Sequence, residues 1–333
     1  MSALVLGAGG FLGLNLVDAL VAAGETPRCG RRARSNVLAL RQRKVPLCPA
    51  DLERPEELIA AMAGCAVVYH LAAHYPRHSL DGASALATGR RQTANVLDAA
   101  AAAGVGRLVF VSSTATVAPA QGGPATERHR FGEAPGWGVY HDLKWELEEQ
   151  VLREQRFEVT VACPGACLGP WDLRLGTSAL LVGLARGLDP PHPDGVVNLV
   201  DARDLARGLV AQATVPAPPR RLIFVAQSRP LHPLLVELAG RYRVAPPSPP
   251  LGAAAAMALA DEEERRAAAG GERARLAREI VDLIVRSQPI DGRLAEQSLG
   301  FTYRPLAETL DGFDEWARRL RILPPLPALE ERP

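Results

Sequence analysis

Tyr140 and Lys144 stand four residues apart, one helical turn, so their side chains share a face. A phenol and an ammonium so placed are the parts of a proton-transfer device. A free tyrosine titrates near 10 and is a poor acid–base group at neutrality. A nearby ammonium would stabilise the phenolate and draw that pKa toward the working range. The choice of lysine is informative. Lys and Arg together number 38, yet only Lys44 and Lys144 are lysines. In a composition that uses arginine almost everywhere, a retained lysine marks a place that needs a compact charge rather than a flat fork. Upstream, Ser112, Ser113 and Thr114 close an apolar run and offer hydroxyls that could bond a substrate oxygen. Singly, each has a plain reading: Tyr140 packs at a helix start, and the hydroxyls satisfy their own backbone at a strand end. Their order along one chain favours chemistry.

Such groups need a frame. Runs at 3–6, 26–29, 45–48, 67–71, 107–111 and 159–162 read as buried strands, and 14–23, 55–62 and 93–103 as helices between them. That alternation predicts an α/β fold, a Rossmann-type doubly wound parallel sheet with its ligand crevice at the carboxyl ends of the strands. Residues 1–165 form the expected dinucleotide-binding domain, to which a strand at 221–226 and parts of 196–213 return. Residues 166–195 and 227–325 form a smaller, mostly helical substrate lobe. Within it, 253–286 reads as one or two helices, and the Glu-Arg run 262–266 as a solvated face. His141 reads as a surface histidine at a helix start.

The first strand enters Gly7, Gly10 and Gly13, and Leu14 then opens a helix. Glycines at that spacing let backbone turn tightly and approach a pyrophosphate, whose charge suits the helix N-terminus. The second strand ends in Arg28-Cys29-Gly30-Arg31-Arg32 rather than in an acid. Arginine forks suit a ribose 2′-phosphate, so NADP(H) is favoured and NAD(H) stays possible. Asp51, ahead of Leu52, could accept from the adenine amino group or cap the following helix.

Composition closes other routes. Net charge is +1, which gives no electrostatic case for nucleic acid or an acidic membrane surface. The 5 cysteines lack framework spacing, and no second Cys/His pair accompanies Cys163 and Cys167, so neither a disulfide scaffold nor a metal site is expected. No stretch has the length and apolarity of a membrane span, and no basic segment leads the first apolar run. A cytoplasmic protein acting on a small molecule is expected.

Taken together, Gly7-Ala8-Gly9-Gly10-Phe11-Leu12-Gly13, Asp51-Leu52, His70-Leu71-Ala72-Ala73, Asn95 through Ala100, Val111-Ser112-Ser113-Thr114, Tyr140 with Lys144, Pro164-Gly165, and Asn198 through Asp204 resemble an extended short-chain dehydrogenase/reductase. This is the superfamily of NAD-dependent epimerase/dehydratases, and the chain is most similar to its dihydroflavonol-reductase-like branch. The resemblance implies that the backbone at Gly7, Gly10, Phe11, Leu12 and Gly13 lines the pyrophosphate. It sets Arg31 or Arg32 at the adenosine phosphate, Asp51 and Leu52 at the adenine, and Leu71, Ala72 and Ala73 under the ribose and nicotinamide. Ser112 and Pro164 flank the nicotinamide end. Tyr140 and Lys144 match the catalytic pair, and either Ser113 or Thr114 matches the catalytic hydroxyl. Asn95 matches a structural position, and a homodimer is implied. The chain departs from the family at Cys163, where Arg is common, at Ala118-Pro119, where Tyr-Gly is common, and at Gly89, where Asn is usual. His74, Tyr75, Trp137 and Trp171 fall in the segments expected to face substrate. Three functions fit: an NADPH-dependent carbonyl reductase or alcohol dehydrogenase, a nucleotide-sugar epimerase or dehydratase with tightly held NAD, and an NADP(H)-binding sensor without chemistry.

Overall fold

The computed structural model describes residues 2–73, 79–270, 274 and 276–324. The chain opens with β1 (Ala3–Leu6), α1 (Phe11–Ala22), β2 (Arg28–Arg31), α2 (Leu38–Gln42), β3 (Leu47–Pro49), α3 (Pro55–Met62) and β4 (Val67–His70). It continues through α4 (Gly82–Ala102), β5 (Arg107–Val111), α5 (Val139–Leu152), β6 (Glu158–Pro164), β7 (Ala166–Leu168), α6 (Ala179–Ala185), β8 (Val196–Asp201) and α7 (Ala202–Thr214). The last elements are β9 (Arg221–Phe224), β10 (Gln227–Pro230), α8 (Leu231–Tyr242), α9 (Ala253–Ala268), α10 (Arg278–Val285), α11 (Arg293–Leu299) and α12 (Leu306–Arg319).

Seven parallel strands form the main sheet in the order β3-β2-β1-β4-β5-β6-β9. Successive side chains on a strand point to opposite faces. Leu4 and Leu6 therefore join one core with Leu58 and Met62 of α3, Val96 of α4 and Leu143 of α5. Ala3 and Val5 join a second core with Leu14 and Val17 of α1, Leu40 of α2 and Leu205 and Leu209 of α7. Both faces of the sheet are apolar because both are covered. The strand order reverses direction between β1 and β4, which is where a doubly wound sheet opens its ligand crevice. This is the Rossmann-like fold expected.

Several local features differ from expectation. α4 begins at Gly82, well ahead of 93, where Asp81 accepts from the Ser84 N–H and caps it. Its first half is Ala, Gly and polar residues, which leave little apolar period to read. A second sheet, β10-β8-β7, was not foreseen, because β7 has only 3 residues and β10 is polar. α6, α8 and α12 pack with it around Leu181, Leu235 and Phe313. Region 253–286 forms two helices, and its Glu-Arg run is not a solvated face throughout. Glu263 and Glu264 are buried, and their carboxylates accept from the backbone N–H groups of Leu276 and Arg278, each at 3.0 Å. They satisfy donors at the start of α10 that have no helical partner. All 5 cysteines are free thiols. No helix among the described residues is long and apolar enough to cross a membrane.

Candidate active site

The glycine loop is shaped by contacts that exclude side chains. Gly7 has φ +85°, and a Cβ there would lie 2.8 Å from the Ala72 nitrogen. A Cβ on Gly13 would lie 2.2 Å from the Gly7 oxygen. The Gly10 N–H donates to the Gly7 carbonyl at 3.0 Å and the Leu14 N–H to the Gly10 carbonyl at 2.9 Å, closing the turn into α1. Gly10 is the N-cap and offers no side chain, and the first turn of α1 carries no acid. The leading N–H groups of α1, with Phe11 and Leu12 first, therefore have no side-chain cap at the positive end of the helix, where an anion would be favoured. Leu71 donates to the Leu6 carbonyl at 3.0 Å, which holds Leu71 and Ala72 against the same loop, with Ala73 exposed beyond them.

The turn after β2 lies alongside. A Cβ on Gly9 would stand 3.3 Å from the Asn36 oxygen, so the segment that follows Arg31 and Arg32 borders the glycine loop. Arg28 is committed elsewhere, donating to the carbonyls of Ala61 and Ala63 at the end of α3. Arg31 is half-buried and Arg32 exposed. The carboxylate of Asp51 accepts from the Glu53 N–H at 3.1 Å and shapes its own turn, whereas the N-cap position of α3 belongs to Arg54. Asn95 donates to the Leu52 carbonyl at 2.8 Å, the structural bridge read for it.

At the carboxyl end of β5, Ser113 caps a short 3-10 turn, Thr114–Thr116, by accepting from the Ala115 N–H at 3.1 Å. The hydroxyl that bonds the Tyr140 phenol is that of Ser113. Of the two candidate hydroxyls, the structure thus brings Ser113 to the tyrosine. Lys144 sits one turn along α5, with Nζ 5.9 Å from the centre of the Tyr140 ring and 3.4 Å from the Val111 carbonyl to which it donates. Burial pushes the phenol up to about 12; the Ser113 bond pulls against this, and the Glu279 carboxylate adds to it. Among the protein's own groups, then, desolvation outweighs the downward pull expected from Lys144, and Tyr140 rests protonated at neutral pH. Burial lowers Lys144 to about 8, opposed by the Glu148 carboxylate one turn along α5. His70, at the end of β4, is pushed down to about 3 by burial and by Lys144.

His141 is not a surface residue: it is 3% exposed, its Nδ1 has no hydrogen-bond partner, and burial with Arg286 nearby pushes it down to about 4. Trp137 meets it edge-on at 5.7 Å, and the Arg286 guanidinium lies 5.4 Å over the Trp137 ring. Asp282 approaches Gly138 from the same helix, its Oδ2 3.0 Å from where a Cβ would stand. α10 and the Arg286 that follows it therefore pack against the 137–141 segment at the start of α5, an arrangement not read from sequence. The signal was an i, i+4 acid–base pair, Asp282 and Arg286, bonded at 3.0 Å. Trp171 packs against both the main domain and the lobe: its ring lies 4.3 Å from the Arg43 guanidinium that follows α2 and 6.2 Å from Trp316 of α12. Pro164 ends β6 beside Phe224 of β9. The Ser112 hydroxyl bonds Glu148 at 2.5 Å, so any contact from Ser112 to a dinucleotide falls to its backbone. His74 and Tyr75 lie outside the described residues. No group of three potential metal ligands occurs among the described residues.

A sequence profile of the NAD dependent epimerase/dehydratase family matches residues 3–218. The chain belongs to that family. As a member of it, the chain is 30% identical over 208 residues to a putative dihydroflavonol 4-reductase of Synechocystis sp., covering 61% of this chain and 60% of that protein. It is 28% identical over 229 residues to cinnamoyl-CoA reductase 1 of rice, covering 62% and 65%. The match thus spans less than two thirds of these relatives' length. Among solved structures, a nucleoside-diphosphate-sugar epimerase from Pseudomonas aeruginosa superposes with TM-score 0.77 at 25% identity, covering 97% of this chain and 99% of that one.

Proposed function

We propose that this family member is an NADPH-dependent carbonyl reductase, or in reverse an alcohol dehydrogenase, acting on a small or medium metabolite of partly apolar character. The observation that carries the reading is the Tyr140–Ser113 hydrogen bond, with Lys144 one turn away at the carboxyl edge of the sheet. The glycine cradle and the uncapped start of α1 fit a dinucleotide pyrophosphate. Arg31 and Arg32 would take the 2′-phosphate, Asp51 and Leu52 the adenine, and Leu71, Ala72, Ala73 and Pro164 the nicotinamide side. When bound, the reduced nicotinamide supplies a hydride to the carbonyl carbon.

The protein's own groups handle the proton. Tyr140, kept protonated by burial, donates from its hydroxyl to the carbonyl oxygen as that oxygen gains charge. Ser113 orients the oxygen. The Lys144 ammonium steadies the phenolate left behind and would bind the nicotinamide ribose. Substrate would enter between the main sheet and the lobe of 166–195 and 227–325, past Trp137. Relatives named as reductases support net reduction over epimerisation.

The test is reduction of a panel of aryl and alkyl ketones with NADPH deuterated at C4. Deuterium carried to the carbinol carbon with stoichiometric NADP⁺ supports the reading. Native mass spectrometry showing retained NAD, with no net NADPH consumed, would replace it with the epimerase reading.

A further inference from the structure

Behind Lys144 lies a polar cluster that sequence reasoning did not find. Glu148 follows Lys144 by one turn of α5, and its carboxylate is 2.6 Å from the Arg221 Nε of β9, with side-chain exposures of 3% and 7%. The second carboxylate oxygen accepts from Ser112 Oγ at 2.5 Å, Thr116 Oγ1 at 2.7 Å and Cys163 Sγ at 3.4 Å. Arg221 also donates to Thr116 Oγ1 at 3.0 Å, to the Thr116 carbonyl at 3.3 Å and to the Glu127 carbonyl at 3.2 Å. Ser112 and Thr116 bracket Ser113, so one carboxylate grips both ends of the segment whose middle bonds Tyr140.

Stability alone is a weak reason to bury such a pair, because the desolvation penalty consumes much of the attraction and apolar replacements often serve as well. We propose that the buried Glu148–Arg221 pair is a positioning device. It clamps both ends of the Ser113 segment and sets the field in which Lys144 carries its charge. The role in catalysis rests on the reading of Tyr140 and Lys144 given above. The groups that face Lys144 are Tyr140 and Glu148 of its own helix, His70 and the Val111 carbonyl from β4 and β5, and Cys163 from β6, with Arg221 behind Glu148. Glu148 is the anion among them that favours the ammonium, and Arg221 balances it. Removing either charge leaves the other facing Lys144, so the two removals act in opposite directions.

The chain carries only two lysines, which allows a test that needs no substrate. Trace acetylation with acetic anhydride between pH 6 and 10, read by peptide mass spectrometry, gives the titration of Lys144 against exposed Lys44 as internal reference. Glu148→Gln should move the Lys144 midpoint down by roughly one pH unit, the scale of a unit charge acting across a helical turn at a protein-like dielectric. Arg221→Met should move it up, and the double variant should return it toward the wild-type position. Midpoints unmoved in folded variants would overturn the proposal and leave the pair merely structural.

Should a single variant fail to fold, Ser112→Ala/Thr116→Val carries the test, since it releases the segment while keeping the ion pair. Reduction of the best ketone probe should then fall more than about ten-fold at unchanged NADPH affinity, and an unchanged rate would overturn the clamp. If instead Tyr140→Phe retains full turnover while the midpoints shift as stated, the functional reading fails and the charge coupling stands.

Discussion

Gly13→Ala puts the dinucleotide cradle to a quantitative test. The added Cβ would sit 2.2 Å from the Gly7 carbonyl oxygen and 2.8 Å from Ala8 Cα, all backbone, where ordinary contact begins at 3.4 Å. The Gly7 oxygen must therefore retreat by 3.4 − 2.2 = 1.2 Å. That oxygen accepts from the Gly10 N–H at 3.0 Å, so the turn opens as it moves. Overpacking of this kind costs about 1–3 kcal/mol, and the lost hydrogen bond about 1 kcal/mol more. Binding suffers separately. Displacing the loop by about an ångström forfeits at least one charge-assisted bond to phosphate, worth about 1.5–3 kcal/mol, or about 10- to 150-fold in Kd. NADPH fluorescence titration and thermal unfolding measure the two effects. Gly24→Ala is the control. Its φ is +79° but nothing lies within 4 Å of its Cβ, so it should lose stability and keep NADPH affinity. A Gly13→Ala protein that binds NADPH as tightly as wild type would refute the reasoning.

Other consequences are equally direct. Arg31→Ala/Arg32→Ala should weaken NADPH binding by about 10- to 100-fold while leaving NADH within about two-fold, because only the 2′-phosphate loses charge-assisted partners; parallel titrations with both cofactors decide it. Ser113→Ala should lower kcat by about 10²- to 10³-fold, whereas Thr114→Ala should stay near wild type, since Ser113 is the hydroxyl that meets Tyr140. His141 bears on acid stability. Its folded-state pKa is lowered to about 4, below its unfolded value, so its contribution is fully present above about pH 6.5 and lost as pH falls toward 4. At pH 5 that loss is about 2 kcal/mol. Tm should therefore drop more steeply between pH 7 and 5 in wild type than in His141→Leu, and parallel curves would contradict the assignment.

Local chemistry was legible in the sequence, and long-range placement was not. Gly7, Gly10 and Gly13 announce a backbone approach within one strand–turn–helix, and the Tyr140–Lys144 spacing carries its own geometry. The sheet followed from continuous apolar runs such as Ala3–Leu6, buried along its whole length. Pairings between distant segments carry no periodic signal. Glu148 and Arg221 are 73 residues apart, and nothing local to either one signals the other. His141 was misread because burial at a helix start depends on α10, which arrives from the far end of the chain. The choice between Ser113 and Thr114 likewise turned on a 3-10 turn whose geometry places the first hydroxyl toward α5.

The central claim is that the Tyr140 hydroxyl delivers the proton that accompanies hydride transfer. Tyr140→Phe removes that hydroxyl and leaves the glycine cradle untouched. Single-turnover reduction of a ketone probe by prebound NADPH should slow by about 10²- to 10⁴-fold, with the NADPH dissociation constant within about three-fold of wild type. A Tyr140→Phe protein that reduces the probe at the wild-type rate, with NADPH bound, would contradict the account.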